Sequence, residues 1–167
     1  MIWRERWRET QTRGIRGNVD RRLEKLEKDS ELWGLVLACA GIDRLGGIPD
    51  GLAMERLDPL WMVPAPGQGA LAVECRQEDH KVMKVLGKID DPKVRSCVEA
   101  EKGFLQQWGA GCSESLGALA TWEPKGTLHL RAAVKDIHGG VQRAQMEGPF
   151  SETGLLGIRL AEEINRG

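Results

Sequence analysis

Long apolar runs are missing from this 167-residue sequence. None approaches the roughly 20 residues that a membrane-crossing helix needs, so a helical membrane span is excluded. The opening MIWRERWRET is charged at once, where a secretory leader would turn apolar, and secretion is not expected. Closely spaced metal ligands are missing as well. Cys39, Cys75, Cys97 and Cys112 are far apart with no CxxC pair, and His80, His129 and His138 stand singly. No metal site is expected, and a reducing, cytoplasmic setting fits this cysteine usage. Internal repeats and low-complexity tracts are absent too. With 41% hydrophobic and 29% charged residues, the composition is that of a folded globular chain and excludes disorder, collagen-like structure and coiled coil.

The net charge of −1 conceals an asymmetry: residues 1–28 carry +4 and the remainder −5. A basic cluster of this kind suits an anionic ligand, nucleic acid or merely a solvated helix face. The acidic remainder and the lack of a nucleic-acid motif argue against nucleic acid.

The chain reads as alternating elements. Asn18 is placed to cap a helix over Val19–Lys28, with Val19, Leu23 and Leu26 on one side. The wholly apolar LVLACA, Leu35–Ala40, predicts a strand buried on both faces, passing into a short helix in AGIDRLGG. Prolines 49, 59, 64 and 66 mark a connection that ends in PAPGQGA, after which Ala70–Glu74 is a candidate strand and His80–Ile89 a candidate helix. Asp91-Pro92 opens a longer helix to about Trp108. Leu116–Trp122, Thr127–Lys135 and Val141–Glu147 alternate as an antiparallel meander, and Ser151 caps a last helix whose inward side is Leu155, Ile158, Leu160 and Ile164. Cys39 and Cys97 are expected to be buried small hydrophobes and Cys75 structural, whereas Cys112 sits in a glycine-flanked turn where a thiol is accessible.

Four stretches carry a resemblance. Arg16-Gly17-Asn18-Val19-Asp20-Arg21-Arg22-Leu23, then Leu37–Gly46 (LACAGIDRLG), then Pro64–Ala70 with Glu74-Cys75-Arg76, and finally Gly111-Cys112-Ser113 with Leu116-Gly117-Ala118, together resemble the porphobilinogen deaminases, or hydroxymethylbilane synthases, in order and spacing across residues 15–165. The resemblance implies tetrapyrrole synthesis: four porphobilinogen molecules are joined with release of ammonia on a dipyrromethane primer held by a thioether. It places that thioether on Cys112, the carboxylate-gripping arginines on Arg16, Arg22 and Arg44, and main-chain contacts at Ala38 and Gly69. Each pyrrole carries two carboxylates, so guanidinium forks near a helix start suit the ligand. Asp20 and Asp43, beside the arginines, are expected to orient them.

The resemblance also implies an architecture. Residues 1–62 are expected to be part of a periplasmic-binding-protein-like α/β domain, 63–76 a crossing segment, and 77–167 an α+β cofactor-carrying domain with a three-stranded antiparallel sheet and helices. Several family features are not in this sequence. There is no HSLKD-type segment, whose aspartate serves the chemistry, and no SSLRR-type stretch before Arg16; Ala110 replaces a glycine of the cofactor loop, and Ser115 stands where proline is usual. No catalytic acid is assignable, and general acid–base help is typically worth about 10²–10⁴ in rate. The chain alone is therefore expected to be inactive, to bind porphobilinogen or an oligopyrrole, and to need a completing N-terminal-domain chain or self-association. The competing readings are a catalytically silent polycarboxylate-binding module and a truncated gene product.

Overall fold

A computed structural model describes residues 2–109, 115–124, 126–136 and 138–166. It divides the chain into two units: Trp7–Asp58, and a second made of the residues up to Arg6 together with those from Pro59 onward.

In the Trp7–Asp58 unit the regular elements are α2 (Val19–Lys28) and α3 (Cys39–Arg44), numbered after a four-residue α1 (Trp3–Arg6) that belongs to the other unit. The Asn18 side chain accepts the Arg21 N–H at 3.1 Å, satisfying one of the amides a helix start leaves without a partner. Lys25 and Lys28 fall in the last turn, where positive charge complements the helix dipole. Leu23 is buried, as is Ile42 on α3.

The predicted strand at Leu35–Ala40 is not formed. Residues 35–38 are irregular, Val36 is 69% exposed, and Cys39 and Ala40 already belong to α3. A strand buried on both faces needs a neighbour along each edge, and this unit has no strand among its described residues. The same reason removes the candidate strand Ala70–Glu74: Leu71 is 86% and Val73 60% exposed, and neither pairs with a neighbour.

The second unit holds the sheet. Here α4 (His80–Leu86) precedes α5 (Pro92–Trp108), β1 (Leu116–Glu123), β2 (Thr127–Lys135), β3 (Val141–Pro149), a 3-10 turn (Phe150–Glu152) and α6 (Thr153–Arg166). Helix α4 stops three residues short of the predicted Ile89, at Gly87. Helix α5 starts on an Asp91 cap that accepts the Lys93 and Val94 amides, has Pro92 at its first position, and ends at Gly109 in the left-handed conformation, the residue order that starts and stops a helix most cheaply.

The three strands form an antiparallel sheet in the order β1-β2-β3. Their alternation puts Ala118, Ala120, Leu128, Leu130, Ala132 and Val134 on one face, against Ala100 and Phe104 of α5 and Leu156, Leu160, Ala161 and Ile164 of α6. Leu155, expected inward, is half exposed, and Leu156 takes its place. The inward row steps 156, 160, 164 along the helix; Leu160 and Ile164 face the core as expected, whereas Leu155 and Ile158 are not part of it.

Small residues let the two helices touch. A Cβ on Gly157 would lie 2.1 Å from the Ala100 carbonyl oxygen, and one on Gly103 would lie 2.4 Å from that of Gly154. The other sheet face is met by Ile2 and Val63, packed with Ala133. Beside them Arg143 grips Glu5 through two nitrogens, at 2.9 and 2.7 Å. The free edge of β1 is met by residues 63–64: Ala118 donates to the Pro64 carbonyl at 2.9 Å, and a Cβ on Gly117 would strike the Val63 oxygen at 2.5 Å. Covering an edge in this way removes a template for unwanted strand pairing.

Candidate functional site

The candidate residues fall in three groups. Arg16, Arg22, Ala38 and Arg44 lie in the Trp7–Asp58 unit, Gly69 lies in the other unit, and Cys112 lies outside the described residues.

The first group is organised around two helix starts. Gly17, at φ +127°, turns the chain into α2, a conformation that costs glycine least. Arg22 reaches back so that its Nε donates to the Gly17 carbonyl at 2.7 Å, and Lys25 Nζ donates to the Arg16 carbonyl at 3.1 Å. The two bonds fix the Gly17–Asn18 and Arg16–Gly17 peptides and leave the Arg16 guanidinium exposed; among the described residues it has no carboxylate partner. Ala38 is the N-cap of α3 and Arg44 its last residue, exposed and likewise without an ion pair among the described residues. Gly41 faces Val19, whose Cγ2 would be 3.8 Å from a glycine Cβ, so the Arg-Gly-Asn-Val and Ala-Gly-Ile-Asp motifs meet at that point.

Asp43 does not orient Arg44. It is paired instead with Arg56, whose two terminal nitrogens both donate to its carboxylate. The guanidinium holds the Asp43 carboxyl below its ordinary range. Asp20 faces a cleft that it lines with Glu24, Glu27 and residues 45–49, and three carboxylates there make that cleft the wrong charge for a polyanion. Arg16 and Arg44, by contrast, are exposed and have no carboxylate partner among the described residues.

Gly69 belongs to a tight turn, Ala65–Ala70. The Gln68 amide donates to the Ala65 carbonyl at 2.9 Å, Ala65 N–H donates to Gln68 Oε1 at 3.0 Å, and Ala70 N–H to the Gly67 carbonyl at 3.3 Å. Gly67 and Gly69 both have positive φ, +74° and +94°.

The sequence reading missed one residue here. Glu101 of α5 is 6% exposed, and its two carboxylate oxygens accept the Gly67 N–H at 2.6 Å and the Ala120 N–H at 2.8 Å. Burial pushes this carboxyl above its usual range, against the lowering by the two amides. The signal was an acid on the apolar stripe of α5, between Cys97, Ala100 and Phe104. An ionised group at such a place needs a partner.

The other cysteines differ from expectation. Cys39 is half-buried at the start of α3 and not a core residue, and Cys75 is exposed. Cys97 is half-buried against the core, and burial, with Glu101 and Asp91 nearby, pushes its thiol up. Among the described residues no group of three or more metal-ligating side chains occurs, and no helix is long and apolar enough to cross a membrane.

In the Trp7–Asp58 unit exposed guanidiniums stand before the capped start of α2 and at the end of α3, groups of the kind that pair with carboxylates. The family model described as "Porphobilinogen deaminase, dipyromethane cofactor binding domain" matches residues 1–84, and that of "Porphobilinogen deaminase, C-terminal domain" matches residues 95–166. The chain belongs to the porphobilinogen deaminase family. Among curated relatives, the porphobilinogen deaminase of Roseiflexus sp. (strain RS-1) is 39% identical over 150 residues, 90% of this chain and 48% of its own length. That of Mycobacterium tuberculosis (strain H37Rv) is 40% identical over 161 residues, 91% of this chain and 51% of its own. The chain thus spans about half the length of the curated relatives it matches.

Proposed function

We propose that this chain is the cofactor-carrying portion of a porphobilinogen deaminase of tetrapyrrole biosynthesis. It holds dipyrromethane by a thioether at Cys112 and grips porphobilinogen-derived carboxylates with Arg16, Arg22 and Arg44 and with the backbone at Ala38 and Gly69. The observation that carries this reading is the pair of family matches, to the cofactor-binding domain and the C-terminal domain, in one chain and in order. The donor set supports it: the exposed guanidiniums of Arg16 and Arg44 are not tied up by carboxylates among the described residues, and Arg22 commits its Nε to Gly17, which leaves its terminal nitrogens for a ligand.

The bound group supplies the primer on which pyrroles are joined. This chain's residues bind and orient: the guanidiniums neutralise carboxylates, and the turn at Gly69 adds a main-chain donor. Chain extension with loss of ammonia is proposed for this portion together with the other half that its relatives possess, whether on the same polypeptide, a separate chain or a second copy, in the cytoplasm. Residues 1–62 then form part of a periplasmic-binding-protein-like α/β domain, 63–76 a crossing segment and 77–167 the cofactor domain. Leu71 and Val73, exposed as they stand, are the side chains such a completion covers.

Titration calorimetry with porphobilinogen tests the anion site. Changing Arg16 and Arg22 to alanine removes two charge-assisted contacts, each worth about 1.5–3 kcal/mol, and is expected to weaken binding by about 100-fold or more. Unchanged affinity contradicts the assignment.

A further inference from the structure

The turn at residues 65–70 has an unusual distribution of donors. The amides of Ala65, Gly67, Gln68 and Ala70 are all occupied, by Gln68 Oε1, Glu101, Ala65 and Gly67 respectively. The exposed Gly69 N–H has no partner among the described residues. Among the described residues one side chain outside the turn holds it, Glu101, and the same carboxylate holds Ala120 in β1. We propose that Glu101 is a positioning residue: by bridging Gly67 and Ala120 it locks the turn to α5 and the sheet, and so aims the free Gly69 N–H outward at a ligand carboxylate. This deepens the proposed function and rests on it for the identity of the ligand.

The bridge requires a carboxylate. Both oxygens must accept, one from each amide, whereas the isosteric glutamine has one accepting oxygen and would turn an NH₂ toward an N–H. Aspartate, one methylene shorter, does not span the same two amides. Glutamine thus keeps one end of the bridge and releases the other, leaving one buried amide without an acceptor. From β1 and from the turn, backbone N–H groups face the carboxylate. The titratable side chain that shares its surroundings is Cys97, one turn earlier on α5. Among the described residues no lysine, arginine or histidine is ion-paired with it.

The test uses the full ¹⁵N-labelled chain and its Glu101→Gln variant, with porphobilinogen as the probe. In the unaltered chain the Gly67 and Ala120 amide resonances are expected to follow one common titration curve, absent from the variant. In the variant one of the two amides, Gly67 or Ala120, should exchange with solvent about tenfold faster or more, the loss of one charge-assisted bond, while the amides of Leu128 and Leu130 in the central strand keep their rates. Porphobilinogen should move the Gly69 resonance in the unaltered chain and not in the variant. Unchanged exchange at both Gly67 and Ala120, or an equal Gly69 response in both chains, overturns the positioning role and leaves the ligand reading intact. Coupled Gly67 and Ala120 titration with a silent Gly69 overturns the ligand reading and, with it, the aim of the turn. Should the variant fail to fold, separate midpoints for Gly67 and Ala120 in the unaltered chain overturn the bridge.

Discussion

Gly157 and Gly154 sit three residues apart on α6, yet alanine at the two positions should have opposite effects. Glycine inside a helix ordinarily costs about 0.5–1 kcal/mol relative to alanine, so both substitutions begin with a gain. At Gly154 nothing lies within 4 Å of the added Cβ, and the gain remains. At Gly157 the Cβ would stand 2.1 Å from the Ala100 oxygen and 2.4 Å from the Phe104 nitrogen, where ordinary contact begins at 3.4 Å. Both neighbours are backbone atoms of α5 and cannot swing aside, so the helices must separate by about 1 Å along a seam that includes the fully buried Phe104 and Leu160. Overpacking of this kind costs about 1–3 kcal/mol, and opening the seam places Gly157→Ala at the upper end. Set against the propensity gain, the net loss is about 2 kcal/mol, equivalent to about 8 °C in Tm at roughly 4 °C per kcal/mol for a unit of this size. Thermal and urea unfolding followed by circular dichroism measure both variants. Gly157→Ala as stable as the parent, or Gly154→Ala equally destabilised, refutes the close helix crossing.

Other consequences follow from the same packing and charges. Phe104→Ala empties a fully buried site and should cost about 3–5 kcal/mol, seen as a loss of the cooperative unfolding transition or a large drop in its urea midpoint. Arg143 holds the Glu5 carboxyl below its ordinary value of 4.5. That pair therefore contributes stability that is present above about pH 4.5 and lost as the pH falls through the lowered value. Solvent screening limits the contribution to about 0.5–1 kcal/mol, and Arg143→Ala should flatten that part of the stability–pH curve. Thiol labelling at pH 8 should reach exposed Cys75 well before Cys97, whose thiol is half-buried and pushed up; equal rates at the two positions contradict the packing of α5 against the sheet.

What was legible in the sequence was local. Asn18 capping α2, Asp91-Pro92 opening α5 and Gly109 closing it are short-range signals, and the three alternating strands need only each other to form a sheet. LVLACA and ALAVE read as strands because their residues suit that state, yet a strand exists only when a neighbour accepts its hydrogen bonds. Residues 35–38 and 70–74 have none among the described residues. On α6 Leu160 and Ile164 face the core as expected, but Leu156 takes the place of Leu155 because the two are equally apolar and the contact with α5 chooses between them. The candidate arginines come from the family resemblance. The partners of Asp43 and Gly67 were not legible: Arg56 reaches Asp43 across thirteen positions, and Glu101 reaches Gly67 across thirty-four. Such pairs come from folding and carry no short-range pattern, although an acid on an apolar helix stripe is the kind of inconsistency that marks a buried interaction.

The proposal that this chain carries a pyrrole primer on Cys112 is decided by intact mass. The chain is expressed alone and together with the N-terminal domain of a family member, each with Cys112→Ala as control. A mass increase equal to one dipyrromethane, lost in Cys112→Ala and retained in Cys39→Ala, is the predicted result. The bare chain mass in both preparations, or an addition that survives Cys112→Ala, contradicts it.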